Sequence, residues 1–319
     1  MSFFENSLHN PPKHRAKIII FALVLFAFFN LSGPQASISQ GIYKNKTDCQ
    51  CVVFRLDDIQ DNFLNRSQLA VMNLFLEKNQ SLTLALILNA LGNDTTVLNK
   101  VRFGYELGNF ELASHGWNHE NFSKLNEQDQ VDLLRKANEK MHRIFGVYST
   151  IFIPPLYEFN NSTLDAARQV GINVFSSLDK YYEHRNQSGL ITHGIHSDPV
   201  HGENILHFPT TLQYSYFDGA RWNTYSVQQS LQSIHESISS YGYAVVTLHP
   251  QGFVNLLNNN LTNSVNSTQI KNLAEIIDSI NSENIHTTSF YKLGGINNKS
   301  MGEANNLSTD TNHKMVPNQ

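Results

Sequence analysis

Residues 110–125 read F-E-L-A-S-H-G-W-N-H-E-N-F-S-K-L, a short apolar run followed by His115 and His119 four positions apart. If the chain turns helical after Ser114, positions i and i+4 share a face and the two ring nitrogens converge on one divalent ion. Such a clamp needs a carboxylate. Upstream, residues 52–61 read V-V-F-R-L-D-D-I-Q-D, an apolar strand-like run that ends in Asp57 and Asp58. A strand alternates its side chains between faces, and past its last paired residue the chain turns. One carboxylate can therefore bind metal while its neighbour stays available as a base.

Outward from these stretches, strand and helix signals alternate. Strand patterns cover residues 51–56, 82–88, 110–114, 150–153, 173–176, 243–249 and 285–288. Helical spacing covers residues 66–79, 94–102, 126–145, 162–170, 226–240 and 268–280. The clearest helix is capped by Asn126, carries Glu127 and Asp129 in its first turn and stops at Gly146. Seven or eight strands separated by helices predict an α/β fold, either a β/α barrel or a doubly wound sheet, with functional groups at the carboxyl ends of the strands. Asp57, Asp58, His115, His119, the Pro154-Pro155 pair and His249 all stand at such ends. A lone strand-end histidine or an Asp-Asp pair is often structural; their convergence at one barrel mouth points to chemistry.

The 319 residues, 40% hydrophobic, suffice for one main core plus tails. A net charge of −4, with no Lys/Arg cluster beyond the N-terminus, argues against a nucleic-acid surface, and the lack of a Gly-rich phosphate cradle argues against a nucleotide cofactor. Lys13, His14, Arg15 and Lys17 precede a 12-residue apolar run at residues 18–29. This predicts a signal peptide or an N-terminal anchor over residues 1–36, with residues 18–31 as the segment able to hold a membrane, and an extracytoplasmic location, secreted or at the outer face of the cell membrane. A linker over residues 37–50, a catalytic domain over 51–291 and a disordered polar tail over 292–319 complete the expected organisation. Twelve Asn-x-Ser/Thr sequons follow the targeting segment, among them Asn45, Asn65, Asn79, Asn93, Asn186, Asn260 and Asn266, which fits a glycoprotein. Asn121 begins one of the twelve, two residues past His119. Cys49 and Cys51, the only cysteines, stand too close for an ordinary disulfide; they read as core or edge residues, or as a C-x-C metal pair.

Periodicity fails over residues 178–225, a stretch longer than ordinary connections and rich in His, Asp, Gly and aromatics. It is expected to be an insertion or a loop over the mouth. His193, His196 and His201 offer a second metal site, and Tyr214, Tyr216 and Trp222 offer flat apolar faces for sugar rings.

The motifs resemble those of the polysaccharide deacetylases of the NodB-homology class, carbohydrate esterase family 4. The family's T-F-D-D-G resembles F-R-L-D-D-I here, its H-[ST]-x-x-H resembles H-G-W-N-H, its R-P-P-Y-G resembles I-P-P-L-Y, and its L-H-D resembles L-H-P. The resemblance runs from about residue 51 to 288. It implies a distorted (β/α) barrel with a long loop insertion, and a hydrolase that removes N-acetyl groups from an acetamido-sugar polymer or glycan with one divalent metal ion, Zn2+ being favoured by two histidine ligands. By the same resemblance Asp57 is the base, Asp58, His115 and His119 are the metal ligands, and His249 is the general acid. Pro155, Tyr157 and Trp222 are expected to meet the substrate, an acetylated glycan.

Four positions depart from the family pattern. Ile153 stands in place of the arginine that holds the catalytic aspartate, Gly116 in place of Ser/Thr, Pro250 in place of the acid after the histidine, and Ile59 in place of glycine. Arg55 lies two residues before Asp57, on the same strand face, so it can supply the missing guanidinium if it comes within about 4 Å of the carboxylate. Pairing of Arg55 with another acid, such as Glu111, is the plainer alternative. Beside the deacetylase stand two further readings, a catalytically silent carbohydrate-binding surface protein on the same barrel and a different metal-dependent C–N hydrolase.

Overall fold

The computed structural model describes residues 47–178, the backbone of 196–197, and residues 205–295. The expected targeting segment at 1–36, the anchor at 18–31, most of the linker and the histidines at 193 and 201 lie outside the described residues. Among the described residues no helix is long and apolar enough to cross a membrane.

A ten-stranded sheet forms the centre. Its strands are β1 (Cys51–Ile59), β2 (Leu82–Leu86), β3 (Phe110–Ser114), β4 (Ile151–Phe152), β5 (Val174–Phe175), β6 (His196–Ser197), β7 (Leu206–His207), β8 (Leu212–Gln213), β11 (Tyr243–Leu248) and β14 (His286–Thr288). Two small antiparallel ribbons lie outside it, β9 (Ser215–Phe217) with β10 (Trp222–Thr224), and β12 (Val254–Leu257) with β13 (Asn260–Val265). The sheet order is β6-β7-β5-β4-β3-β2-β1-β11-β8, with β14 also on β1, and every described pairing in it except β6–β7 is parallel.

One extended stretch brings the two edges together. Phe208 and Thr210 donate to the carbonyls of Phe175 and Ser177, whereas Thr211 and Tyr214 donate to those of Val245 and Thr247. The chain thus leaves the β5 edge and joins the β11 edge within a few residues, curling the sheet into a distorted barrel. Part of the stretch without periodicity is therefore a seam. Strand pieces of two or three residues are too short to show a period of two.

Helices α1 (Asn65–Glu77), α2 (Thr95–Glu106), α3 (Glu127–Phe145), α4 (Asn161–Gln169), α5 (Val227–Tyr241) and α6 (Ser267–Ser282) cover the barrel, and α7 (Phe290–Gly294) closes the described chain. The caps follow the sequence signals: Asp94, Asn126, Asn160, Ser226 and Asn266 each accept backbone N–H bonds at a helix start. Because α7 spans residue 291, regular structure continues past the expected start of the polar tail.

Strand alternation sorts the core. Val52, Phe54 and Leu56 of β1 pack outward with Leu84, Val246, Phe75 and Ile277 under the helices. Cys51 and Val53 point inward with Ala85, Ala113, Ile153, Val174, Val245 and Phe208. Arg55 and Asp57 continue that inward face, so a charge pair sits directly above the apolar filling of the barrel.

The cysteine expectation is corrected. Cys49 and Cys51 form a disulfide with Cα atoms 5.2 Å apart. Gln50 between them takes φ 47°, a left-handed turn that folds the tripeptide back on itself and brings together side chains that a plain strand would keep apart. Sulfurs bonded to each other are not free to hold a metal, so the C-x-C metal pair is set aside for the oxidised chain.

Candidate active site

Asp57 and Asp58 do not follow the end of β1; they lie inside it. The pairing of β1 with β2 keeps one register to Leu56↔Leu84 and resumes at Ile59↔Leu86, so the two acids occupy a bulge. Asp58 takes φ 62° there. That residue re-aims its carboxylate toward the mouth, while Asp57 keeps the inward direction set by the strand.

The histidines also converge by another route than the one expected. Residues 115–121 form an irregular loop, and a 3-10 turn follows at Phe122–Lys124. Gly116 (φ 77°) and His119 (φ 64°) turn the loop, and the backbone N–H groups of Trp117 and Asn118 donate to the Glu120 carboxylate at 3.1 and 2.9 Å. A Cβ at Gly116 would lie 3.1 Å from Glu120 and 3.2 Å from Phe122, and φ 77° is a conformation that favours glycine. The loop brings the two imidazoles to 5.0 Å between centroids.

Asp58 faces both rings. Its Oδ1 lies 3.2 Å from His119 Nε2 and 3.4 Å from His115 Nε2. His115 Nδ1 is 2.7 Å from the carbonyl oxygen of Ile153. A carbonyl only accepts, so Nδ1 carries the proton, and in the neutral ring Nε2 turns a lone pair toward the carboxylate. Two lone pairs in that position need a proton or a cation between them. The buried Asp58, His115 and half-buried His119 offer ligand atoms within 4.8 Å of one another, a donor set that fits one divalent ion. Burial works to raise the Asp58 carboxyl, but the facing imidazoles outweigh it and hold it well below its ordinary value. For His115, burial favours the neutral ring, yet the neighbouring carboxylates move its pKa up.

Asp57 has different neighbours. Arg55, wholly buried, donates from Nη2 to Asp57 Oδ2 at 3.0 Å and from Nη1 to the carbonyl and hydroxyl oxygens of Ser176 at 2.8 Å each. Asp57 Oδ1 is buried with no hydrogen-bond partner among the described residues. His249 Nε2 lies 4.0 Å from Asp57 Oδ2. Burial lowers the His249 pKa, so an imidazolium there gives up its proton readily. The alternative of pairing Arg55 with Glu111 does not occur: Glu111 accepts from the hydroxyl of Thr83 and from the backbone N–H groups of Phe290 and Tyr291.

Ile153 explains why no arginine comes from its position. Its side chain is buried in the barrel filling, while its carbonyl orients His115. Tyr157, after Pro155, sits at φ 59°, as does Leu156, and its ring lies 5.3 Å from the Arg55 guanidinium carbon. Its hydroxyl lies in the surroundings of Arg55, Thr247 and Asp57, and burial pushes the phenol up to about 12, which keeps it protonated and able to donate. Pro155 is buried in the same turn. The Trp222 ring lies 5.7 Å from the His249 ring and lines a groove of about 470 Å³ with Tyr216, Gln251 and Gln269. Tyr214 does not face that groove. It is buried, stacks on Phe253 and donates to Gln269, so it belongs to the core.

Residues 44–175 match the family model for polysaccharide deacetylase, an interval that holds the first three motifs. The chain is 26% identical over 211 residues to the uncharacterized Bacillus subtilis protein YlxY, covering 65% of this chain and 59% of that protein's length. A Mycobacterium smegmatis structure described as a candidate polysaccharide deacetylase shares the fold at a TM-score of 0.59 and 14% identity, over 88% of this chain and 100% of that one. A carbohydrate esterase family 4 pseudoenzyme from Bacillus anthracis shares it at 0.50 and 14%, over 79% and 66%. The acid, histidine and proline motifs thus lie in the part of the chain that matches the polysaccharide deacetylase model, and the barrel that carries them is the fold of these solved structures.

Proposed function

We propose that this chain is a metal-dependent hydrolase that removes N-acetyl groups from an acetamido-sugar glycan. The observation that carries the reading is the unequal setting of two adjacent acids: Asp58 looks at two imidazoles, and Asp57 looks at Arg55 and His249. Asp58, His115 and His119 would hold one divalent ion, with Zn2+ favoured by the two imidazoles. Such an ion supplies a Lewis acid that polarises the amide carbonyl and acidifies water.

The chain's own groups then divide the proton transfers. Asp57 Oδ1, which has no hydrogen-bond partner among the described residues, takes a proton from the attacking water as its oxygen bonds to the acetyl carbon. Arg55 holds the other oxygen of Asp57 and keeps the base in one orientation. His249 gives a proton to the amide nitrogen as the C–N bond breaks, so the products are acetate and a sugar amine. Tyr157 is placed to donate to a substrate oxygen, and Trp222 to lie along a sugar ring beside His249.

The disulfide and the basic, then apolar, N-terminus support work outside the cytoplasm on a glycan at or beyond the cell surface. Ile153 favours a second reading, a silent glycan-binding barrel, since the family's arginine is absent from its usual place. Acetate release from a panel of N-acetylated glycans, with and without added divalent metal, separates the two. Turnover that needs metal supports the hydrolase, and glycan binding without acetate release supports the silent barrel.

A further inference from the structure

A carboxylate can approach a cation through one oxygen or through both, and the histidines alone do not decide which. At the barrel mouth a third side chain touches Asp58. Gln251 Nε2 lies 3.0 Å from Asp58 Oδ2, while Oδ1 faces the two imidazoles. A carboxylate only accepts, so the NH2 end of the amide must be the end turned toward it.

The contact follows from the sheet. β1 and β11 run parallel in register through Leu56↔Leu248, so the residues just beyond, Asp57-Asp58 on one strand and His249 to Gln251 on the other, emerge side by side. A 3-10 turn at Pro250–Phe253 then aims Gln251 back across the mouth.

We propose that Gln251 is a positioning residue that fixes Asp58 as a one-oxygen ligand. Its N–H occupies Oδ2 and leaves Oδ1 as the atom presented with His115 and His119. The inference rests on the metal reading above and adds to it a residue outside the three ligands. A structural role accounts poorly for the amide: Oε1 of Gln251 is buried with no hydrogen-bond partner among the described residues. Burying an unsatisfied carbonyl costs free energy, so an apolar side chain of the same length would serve packing better. What the amide adds is the hydrogen bond to Asp58. Outer partners of this kind orient ligands and set metal affinity.

The test is a titration of the full-length chain with Co2+, read by visible absorption and by competition with a chelator, in the native protein and in Gln251→Met. The variant is expected to bind Co2+ about 10- to 100-fold more weakly. Its absorption band should change as Asp58 loses its fixed orientation, and the melting temperature of the metal-free chain should stay level or rise. Gln251→Leu is a second apolar replacement and should behave alike. Native affinity and a native band in either folded variant would overturn the assignment, as would a fall in the metal-free melting temperature with unchanged Co2+ affinity. Failure of the native chain to take up Co2+, or undiminished uptake by His119→Ala, would instead overturn the metal centre itself and the role of Gln251 with it.

Discussion

Arg55 reaches Asp57 across 3.0 Å from within the same strand, and both side chains are sealed from solvent. Two residues on one strand face have little freedom to separate, so β1 itself carries the orientation of Asp57. Ser176 on the β5 side completes the arrangement by accepting the other guanidinium nitrogen. A buried charge held by one carboxylate and two neutral oxygens is tolerated only while all three remain.

Replacing Arg55 with Met should therefore cost stability as well as rate. Leaving Asp57 buried without its partner is worth about 3–5 kcal/mol in urea denaturation. Adding Asp57→Asn should restore part of that loss. In the single variant kcat should fall by about 100-fold, the scale of a displaced general base, while Co2+ affinity stays near native. Full activity in a folded Arg55→Met chain would count against the role.

His119→Ala should abolish stoichiometric metal uptake. The half-buried ring offers one of the three candidate ligand atoms, and the two remaining donors would not make a closed site. Metal analysis of the purified variant after dialysis is the check, and an unchanged metal-to-protein ratio would rule out the ligand set.

Trp222→Ala should raise KM with little change in kcat. Its ring lies beside His249 and along the groove. Loss of one aromatic face is worth roughly 0.5–1.5 kcal/mol, so KM should rise about 3- to 10-fold on an oligosaccharide. A fall in kcat alone would place Trp222 with His249 in the proton transfer instead.

Glu111 predicts a pH dependence at the opposite end of the barrel. Burial pushes its carboxyl above the ordinary value, and the hydrogen bonds from Thr83, Tyr291 and Phe290 only partly offset this. The folded chain thus holds that proton more tightly than the unfolded one. Stability from this group is present below the ordinary value of 4.5 and is lost as pH rises through the raised folded value. Denaturation midpoints across that window should fall with pH more steeply in the native chain than in Glu111→Gln. Parallel profiles would contradict it.

Much of this was readable in the sequence where one residue type met one period. His115 and His119 stand out by spacing and Arg55 by alternation, because those relations are local. The route by which the histidines meet was not: a helix was expected, and a loop folded around Glu120 is found, with Gly116 as the signal that could have shown it. The β12–β13 ribbon was also missed, although Asn258 and Asn259, both at positive φ, are residues suited to such a turn. Gln251 left no trace at all. Its meaning depends on β11 lying beside β1, a neighbour relation between residues nearly two hundred positions apart that no local pattern encodes.

Asp57 and Asp58 are the same amino acid twice, and exchanging them would leave the sequence unaltered. Their division of labour is therefore written wholly in the backbone, in the bulge of β1 and the left-handed turn at the second position. A one-residue insertion between Arg55 and Leu56 would conserve every functional group, yet it would put Leu56 at the base's post and Asp57 at the ligand's, and carry Asp58 out of the site. For this barrel, spacing within one strand is as much a part of the chemistry as the side chains, and a relative that keeps D-D but shifts its phase should be inert for a reason no composition would disclose.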